Sequence, residues 1–242
     1  MVYVTGDTHG VKARFRRMVW DYKLTQDDKL IIAGDAGLVY RDNIEERLFR
    51  QEIAEELPFQ ILYCDGNHEN FDVLNNDFPV EELYGGRVHI IQRNRKGEPK
   101  IIHLMRGEIY TIEGHTYFVF GGAISRDRIY RTPHKTWWEE EMPTQSEMDY
   151  AVENLKKFNN TIDFVITHTV PESIMSFSYP CHEEEMPLNQ FLQRVRENIT
   201  YGHWYCGHLH IEREFENGIT CNYFNVRNVI DNSIIGEENE EE

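Results

Sequence analysis

Five short apolar runs in this chain each stop at a polar cluster of one kind, and that repetition narrows the possible folds sharply. Leu30-Ile31-Ile32-Ala33 runs into Gly34-Asp35-Ala36-Gly37. Val2-Tyr3-Val4-Thr5 runs into Gly6-Asp7-Thr8-His9-Gly10. Phe59-Gln60-Ile61-Leu62-Tyr63 leads to Asp65-Gly66-Asn67-His68-Glu69. Phe164-Val165-Ile166-Thr167 ends at His168, and His203-Trp204-Tyr205-Cys206 ends at Gly207-His208-Leu209-His210. An apolar run bounded by turn residues reads as a buried strand. A polar side chain at the tip of such a strand sits at a sheet edge, where a crevice forms. The expectation is that all five tips meet.

The intervening segments read as an α/β fold. Phe15, Met18, Val19 and Tyr22 recur at helical spacing among Lys12, Arg14, Arg16 and Arg17, which suit an exposed face. Residues 43–57 are rich in helix formers and carry Leu48, Ile53 and Leu57. Strand, helix, strand, helix, strand opens an α/β domain. Residues 80–124 then turn β-rich, with hairpin signals at Arg95-Lys96-Gly97-Glu98-Pro99 and Glu113-Gly114-His115, and are expected to supply a second sheet packed on the first. Thr144 and Glu147 are spaced as a capping box before a helix buried through Met148, Ala151, Val152 and Leu155. Residues 169–187 read as a loop that brings Phe177 and Tyr179 toward a substrate. Leu188, Phe191, Leu192, Val195 and Ile199 mark another helix, and residues 219–224 a late strand. No internal repeat or linker appears. The expected organisation is one domain over 1–235, with an insertion around 125–143 and an acidic, disordered tail over 236–242.

The net charge of −17 argues against a general nucleic-acid binder, which needs basic surface to neutralise phosphates. A small phosphorylated substrate drawn to a local positive site remains compatible. Cys64, Cys181, Cys206 and Cys221 form no Cys-x-x-Cys pair and read as free thiols in a reducing compartment. No basic-then-apolar leader and no membrane-length apolar run is visible, so a cytoplasmic protein without membrane association is expected.

The strand tips carry Asp7, His9, Asp35, Asn67, His68, His168, His208 and His210. Carboxylates and imidazoles with one amide oxygen form a mixed N/O donor set, suited to Mn, Fe or Zn more than to Ca or Mg. Carboxylates bridge cations, and Asp35 is the choice for that role. Asp7 and His9 alternate about Thr8, as do His208 and His210 about Leu209; extended backbone would point each pair to one side. A lone histidine after a strand is usually a hydrogen-bonded structural group. The joint occurrence at five strand ends is what points to a metal site. His89, His103, His115, His134, His182 and His203 lack that context and read as structural or surface residues. Arg126, Arg128, Arg131 and Lys135, followed by Trp137 and Trp138, form a basic-aromatic cluster that is either a substrate clamp or an exposed insertion packed by its tryptophans.

In this order, Gly6-Asp7-Thr8-His9, Gly34-Asp35, Gly66-Asn67-His68-Glu69, His168 and Gly207-His208-Leu209-His210 resemble the motif series of the calcineurin-like metallophosphoesterases. The resemblance implies a two-sheet β-sandwich flanked by helices, a four-layer αββα arrangement, with two divalent metal ions (Mn, Fe or Zn) at the sheet edges. By position, one metal would take Asp7, His9, Asp35 and His210, and the other Asp35, Asn67, His168 and His208. His68 would be the catalytic histidine facing the substrate. Two cations ~3.5–4 Å apart grip a phosphate and share a water whose pKa falls from ~16 toward neutrality. The implied reaction is therefore hydrolysis of a phosphomonoester or phosphodiester by a metal-bridging hydroxide.

Two positions depart from the family. Leu38 stands where many members have a second Asp, and Asp65 stands where protein phosphatases carry a phosphate-binding Arg before Gly-Asn-His-Glu. The second departure counts against a protein phosphatase and leaves Arg126, Arg128 or Arg131 as the substitute cation. Two alternatives stand beside the phosphoesterase. A metal-dependent nuclease is disfavoured by the overall acidity. A catalytically silent partner-binding scaffold is disfavoured because no ligand has been lost.

Overall fold

In the computed structural model, which describes residues 1–178 and 182–236, strand alternation sets the layers. The first sheet holds β1 (Val2–Thr5), β2 (Lys29–Ile32), β3 (Gln60–Tyr63), β4 (Val80–Leu83), β5 (Gly86–Arg93) and β6 (Pro99–Leu104). The second holds β7 (Ile109–Ile112), β8 (His115–Phe120), β9 (Thr161–Thr167), β10 (Thr200–Cys206), β11 (Arg213–Phe215) and β12 (Ile219–Cys221). A last strand, β13 (Arg227–Asn228), returns to the first. The orders are β13-β1-β2-β3-β6-β5-β4 and β11-β12-β10-β9-β8-β7. Every strand that ends in a candidate site residue is interior to its sheet. β1, β2 and β3 run parallel to one another, as do β9 and β10. Such strands are buried on both faces, which explains their unbroken apolar runs.

Successive side chains point to opposite faces. Val2, Val4, Ile31, Ala33 and Leu62 therefore meet Tyr117, Val119, Phe164, Ile166 and Tyr205 in an apolar layer between the sheets. The alternate residues Tyr3, Leu30, Ile32, Ile61 and Tyr63 face the other way, onto Phe15, Met18, Ile53 and Leu74. Those come from helices α1 (Lys12–Trp20), α2 (Ile44–Glu56) and α3 (Phe71–Asn76). The outer face of the second sheet is covered by α4 (Gln145–Lys157), α5 (Glu172–Ser178) and α6 (Met186–Asn198) through Met148, Leu155, Met175, Phe191 and Val195. The result is the expected four-layer arrangement. Asn43 caps α2 by accepting from the Glu46 amide, and Thr144 and Glu147 close the capping box of α4.

Five expectations are corrected. Val152 is 38% exposed, because α4 turns Asn154 inward instead. The β-rich stretch 80–124 is divided: β4, β5 and β6 extend the first sheet, and only β7 and β8 begin the second. Hairpin chemistry pairs neighbouring strands but does not say which sheet they join. The supposed loop 169–187 contains α5, whose Ile174 and Met175 are buried. Leu48 is 57% exposed, because α2 turns Glu46, Arg50, Ile53 and Ala54 inward instead. Arg14 leaves the solvent face of α1 and hydrogen-bonds the Asp7 and Gly6 carbonyls at 2.7 and 3.1 Å and also the Tyr223 carbonyl. The Phe177 side chain, Tyr179, Cys181 and the tail beyond Gly236 lie outside the described residues. Cys64, Cys206 and Cys221 are buried free thiols. Among the described residues, no helix is long and apolar enough to cross a membrane.

Candidate metal centre

The five strand tips converge. Asp7 accepts hydrogen bonds from the His208 amide at 3.1 and 3.0 Å, and His210 Nε2 lies 3.4 Å from its Oδ1. His9 Nε2 faces His210 Nε2 at 3.2 Å. Asp35 Oδ1 accepts from the His68 amide at 2.9 Å and lies 3.6 Å from His168 Nε2, which is 3.1 Å from Asn67 Oδ1. The His168 and His208 rings are 5.0 Å apart. Residues separated by two hundred positions thus share one crevice.

The extended alternation expected at Asp7/His9 and at His208/His210 is not what the backbone adopts. Asp7, His9, Asp35, His208 and His210 all have positive φ, between 25° and 63°. The chain leaves each strand by a left-handed turn rather than continuing extended. Asp and His tolerate that region better than most residues, although it remains uncommon for any side chain with a Cβ. The neighbouring glycines are required by close approach. A Cβ on Gly34 would lie 2.0 Å from His168 Nδ1, and one on Gly66 would lie 2.1 Å from Asp35 Oδ1.

Electrostatics follow from this crowding. Burial opposes ionisation of Asp35, yet the imidazoles of His168, His68 and His9 and the His68 amide hold its carboxyl at about 2. Burial pushes His9 and His68 below the usual histidine range, and Arg131 pushes His68 further the same way. Burial also disfavours a charged His208, but the Glu185 carboxylate outweighs it and raises the group. His210 is raised by its contact with Asp7.

These donors fit divalent cations. Asp7, His9 and His210 form one group, and Asp7, Asp35 and His168 another, with donor atoms within 4.8 Å of one another in each. Asp7 is common to both. Two imidazole nitrogens aimed at each other, beside a buried carboxylate, form an arrangement that a shared cation satisfies. His168 donates from Nδ1 to the Ala33 carbonyl at 2.8 Å, which leaves Nε2 toward the cluster, the usual orientation of a ligating histidine. Asn67 is in turn held by Ser125, with Nδ2 to Oγ at 3.2 Å.

The three arginines separate. Arg131 reaches His68, with its two terminal nitrogens 3.2 Å from Nδ1 and 3.4 Å from Nε2, while its Nε pairs with Asp127. Arg128 pairs with Glu184 and stacks on Trp137. Arg126 lies 3.7 Å from Met175 Sδ and 4.0 Å from Glu185 Oε2. Trp138 is buried and donates to Asp72. Asp65, at the departure from the family pattern, is buried against Arg106 at 2.6 Å and His103 at 3.3 Å, and Arg106 and His103 together keep its carboxyl well below the usual range despite burial. A cavity of about 590 Å³ opens beside the cluster, lined by His9, His68, Lys12, Tyr40, Arg41 and Phe49 among others. Sequence reasoning missed Arg14, Tyr40 and Glu185. The first was counted as part of a charged helical face. The other two carry no local signal.

The family model described as calcineurin-like phosphoesterase matches residues 1–212. No curated protein matches. Among solved structures, the protein TT1561 of Thermus thermophilus is similar at 11% identity and TM-score 0.57, covering 96% of each chain. A protein from Staphylococcus aureus named as a putative 5′-nucleotidase, in complex with alpha-ketoglutarate, is similar at 14% identity and TM-score 0.51, covering 93% of this chain and 49% of its own. At these identities the likeness concerns the fold.

Proposed function

Because this chain belongs to the calcineurin-like phosphoesterase family, we propose that it hydrolyses a small phosphomonoester or phosphodiester with two divalent cations, of Mn, Fe or Zn type. The supporting observation is the pair of donor groups sharing Asp7, which gathers side chains from both sheets into one crevice. Asp7, His9, Asp35, Asn67, His168, His208 and His210 would hold the cations. When bound, the cations supply charge neutralisation at the phosphoryl oxygens and a lowered pKa for water.

The chain's own residues supply the rest. Arg131 has donors only, and its two terminal nitrogens lie 3.2 Å from His68 Nδ1 and 3.4 Å from Nε2, holding the ring against a fixed cation. His68 Nε2 lies 3.9 Å from Asp35 Oδ2 and so faces the cluster. There a ring N–H would donate to the leaving oxygen or hold a phosphoryl oxygen. Arg131 adds a fixed positive charge beside it. Arg106 is neutralised by Asp65, so Arg131 takes the place of the cation absent at position 65. Buried Asn67 contributes an uncharged oxygen, which keeps the centre more positive than a third carboxylate would and favours an anionic ester.

The test is a paired assay on chromogenic phosphomonoester and phosphodiester substrates with Mn, Ni, Zn or Mg, against a chelated control. Turnover that depends on added metal supports the reading, and its ester preference narrows the substrate. Absence of turnover and of metal uptake overturns it. Metal-dependent cleavage confined to oligonucleotides would make the chain a nuclease.

A further inference from the structure

His168 and His208 sit side by side but are held through opposite nitrogens. His168 gives Nδ1 to the Ala33 carbonyl and turns Nε2 to the cluster. His208 instead places Nε2 3.5 Å from Glu185 Oε1. Glu185 is fully buried. Its Oε1 also accepts from Thr169 Oγ1 at 2.6 Å, while Oε2 has no hydrogen-bond partner among the described residues and its closest cation, Arg126, is 4.0 Å away.

A carboxylate at zero exposure loses several kcal/mol of hydration unless hydrogen-bond donors or cations face it. The plainest structural role would be capping α6, which begins at the next residue, but Glu185 makes no side-chain cap hydrogen bond there. A threonine hydroxyl alone is poor compensation. Besides that hydroxyl and Arg126, at 4.0 Å, the partner that the Glu185 carboxylate has among the described residues is the imidazole of a candidate metal ligand.

We propose that Glu185 is a positioning residue for His208: its carboxylate accepts Nε2–H, fixes that tautomer, and leaves the Nδ1 lone pair for a cation. The inference rests on the metal-dependent reading above. It assigns to Glu185 the task that the Ala33 carbonyl performs for His168, with one difference. A charged acceptor makes the imidazole a stronger donor to metal than a carbonyl does.

The test has two independent readouts. Long-range proton–nitrogen correlation spectra of histidine-labelled, metal-free protein at alkaline pH report the tautomer of His208, assigned by signal loss in His208→Gln. The wild type should carry the proton on Nε2, and Glu185→Gln should give a mixture of tautomers. Calorimetric titration of the full chain with Mn should then show one of two equivalents weakened by about 10–100-fold in Glu185→Gln, with the other unchanged, and Glu185→Asp should recover part of the loss. A wild-type His208 protonated on Nδ1 overturns the proposal without any variant, as does a folded Glu185→Gln protein with wild-type tautomer and both affinities intact. A wild type that takes up no Mn but shows a Glu185-dependent Nε2–H tautomer supports the positioning role and removes the metal reading instead.

Discussion

His68 is the residue whose surroundings divide its task from that of its neighbours. It sits between His9, with ring centroids 5.5 Å apart, and Tyr40, at 5.6 Å, and both its ring nitrogens face the Arg131 guanidinium, at 3.2 and 3.4 Å, a cation that would repel a metal ion. Removing its imidazole should therefore leave metal uptake intact. His68→Ala is expected to lower kcat by about 10²–10⁴-fold, the range of a positioned proton donor, with unchanged metal content by elemental analysis. Loss of metal together with activity would show that His68 is a ligand instead. The arginines offer a sharper contrast. Arg131 touches His68, whereas Arg128 pairs with Glu184 and Trp137. Arg131→Ala should lower kcat/KM by about 10²-fold, the scale of one fixed donor at a charged transition state. Arg128→Ala should leave it near the wild-type value. Equal losses in steady-state kinetics of the two variants would refute the division.

Between the site and the body of the first sheet runs a buried polar chain that links separate elements. His89 of β5 faces His103 of β6 at 3.2 Å, His103 meets Asp65 after β3, and Arg106 joins Asp65 to the Glu140 carbonyl. Burial, with the neighbouring His103, depresses His89 to about 4. Its ordinary value is 6.5, so as pH falls from 6.5 toward 4 the unfolded chain takes a proton that the folded chain refuses. Stability is then lost as pH falls through that window, by up to about 3 kcal/mol. Urea midpoints should decline between those values, and His89→Gln should flatten the decline; an equally steep profile in the variant would remove His89 as its cause. How much of this was legible differs by element. Apolar runs ending in Gly-Asp or Gly-Asn-His exposed the central strands, since burial on two faces leaves no polar alternation to confuse. The assignment of β4 to β6 was invisible, because which sheet a hairpin joins depends on partners far along the chain. The left-handed turns at Asp7 and Asp35 were equally hidden, since no residue type demands them. Glu185 sat in an acidic run, Glu183-Glu184-Glu185, whose third member alone turns inward.

At the scale of the whole molecule, the site is a seam. Asp7, His9, Asp35 and Asn67 follow strands of the first sheet, and His168, His208 and His210 follow strands of the second. The seam is closed by the apolar layer between the sheets and, at its edge, by direct bonds such as the His208 amide on Asp7 and His168 on the Ala33 carbonyl. Cations binding across the seam add contacts that exist only when both sheets are in place. A ligand that binds only the folded state at about 100 times its Kd adds about 2.7 kcal/mol per site. For a domain of this length, each kcal/mol moves Tm by about 2–4 °C. Two occupied sites should raise Tm by roughly 10 °C or more over the chelated protein. Because the ligands are split between the sheets, the gain should appear as one shifted calorimetric transition, with neither sheet melting alone. A Tm indifferent to chelation would mean that the crevice holds no structural cation. A metal-shifted transition beside an unshifted one would mean that the ions belong to a single sheet, contrary to the way these seven side chains are distributed.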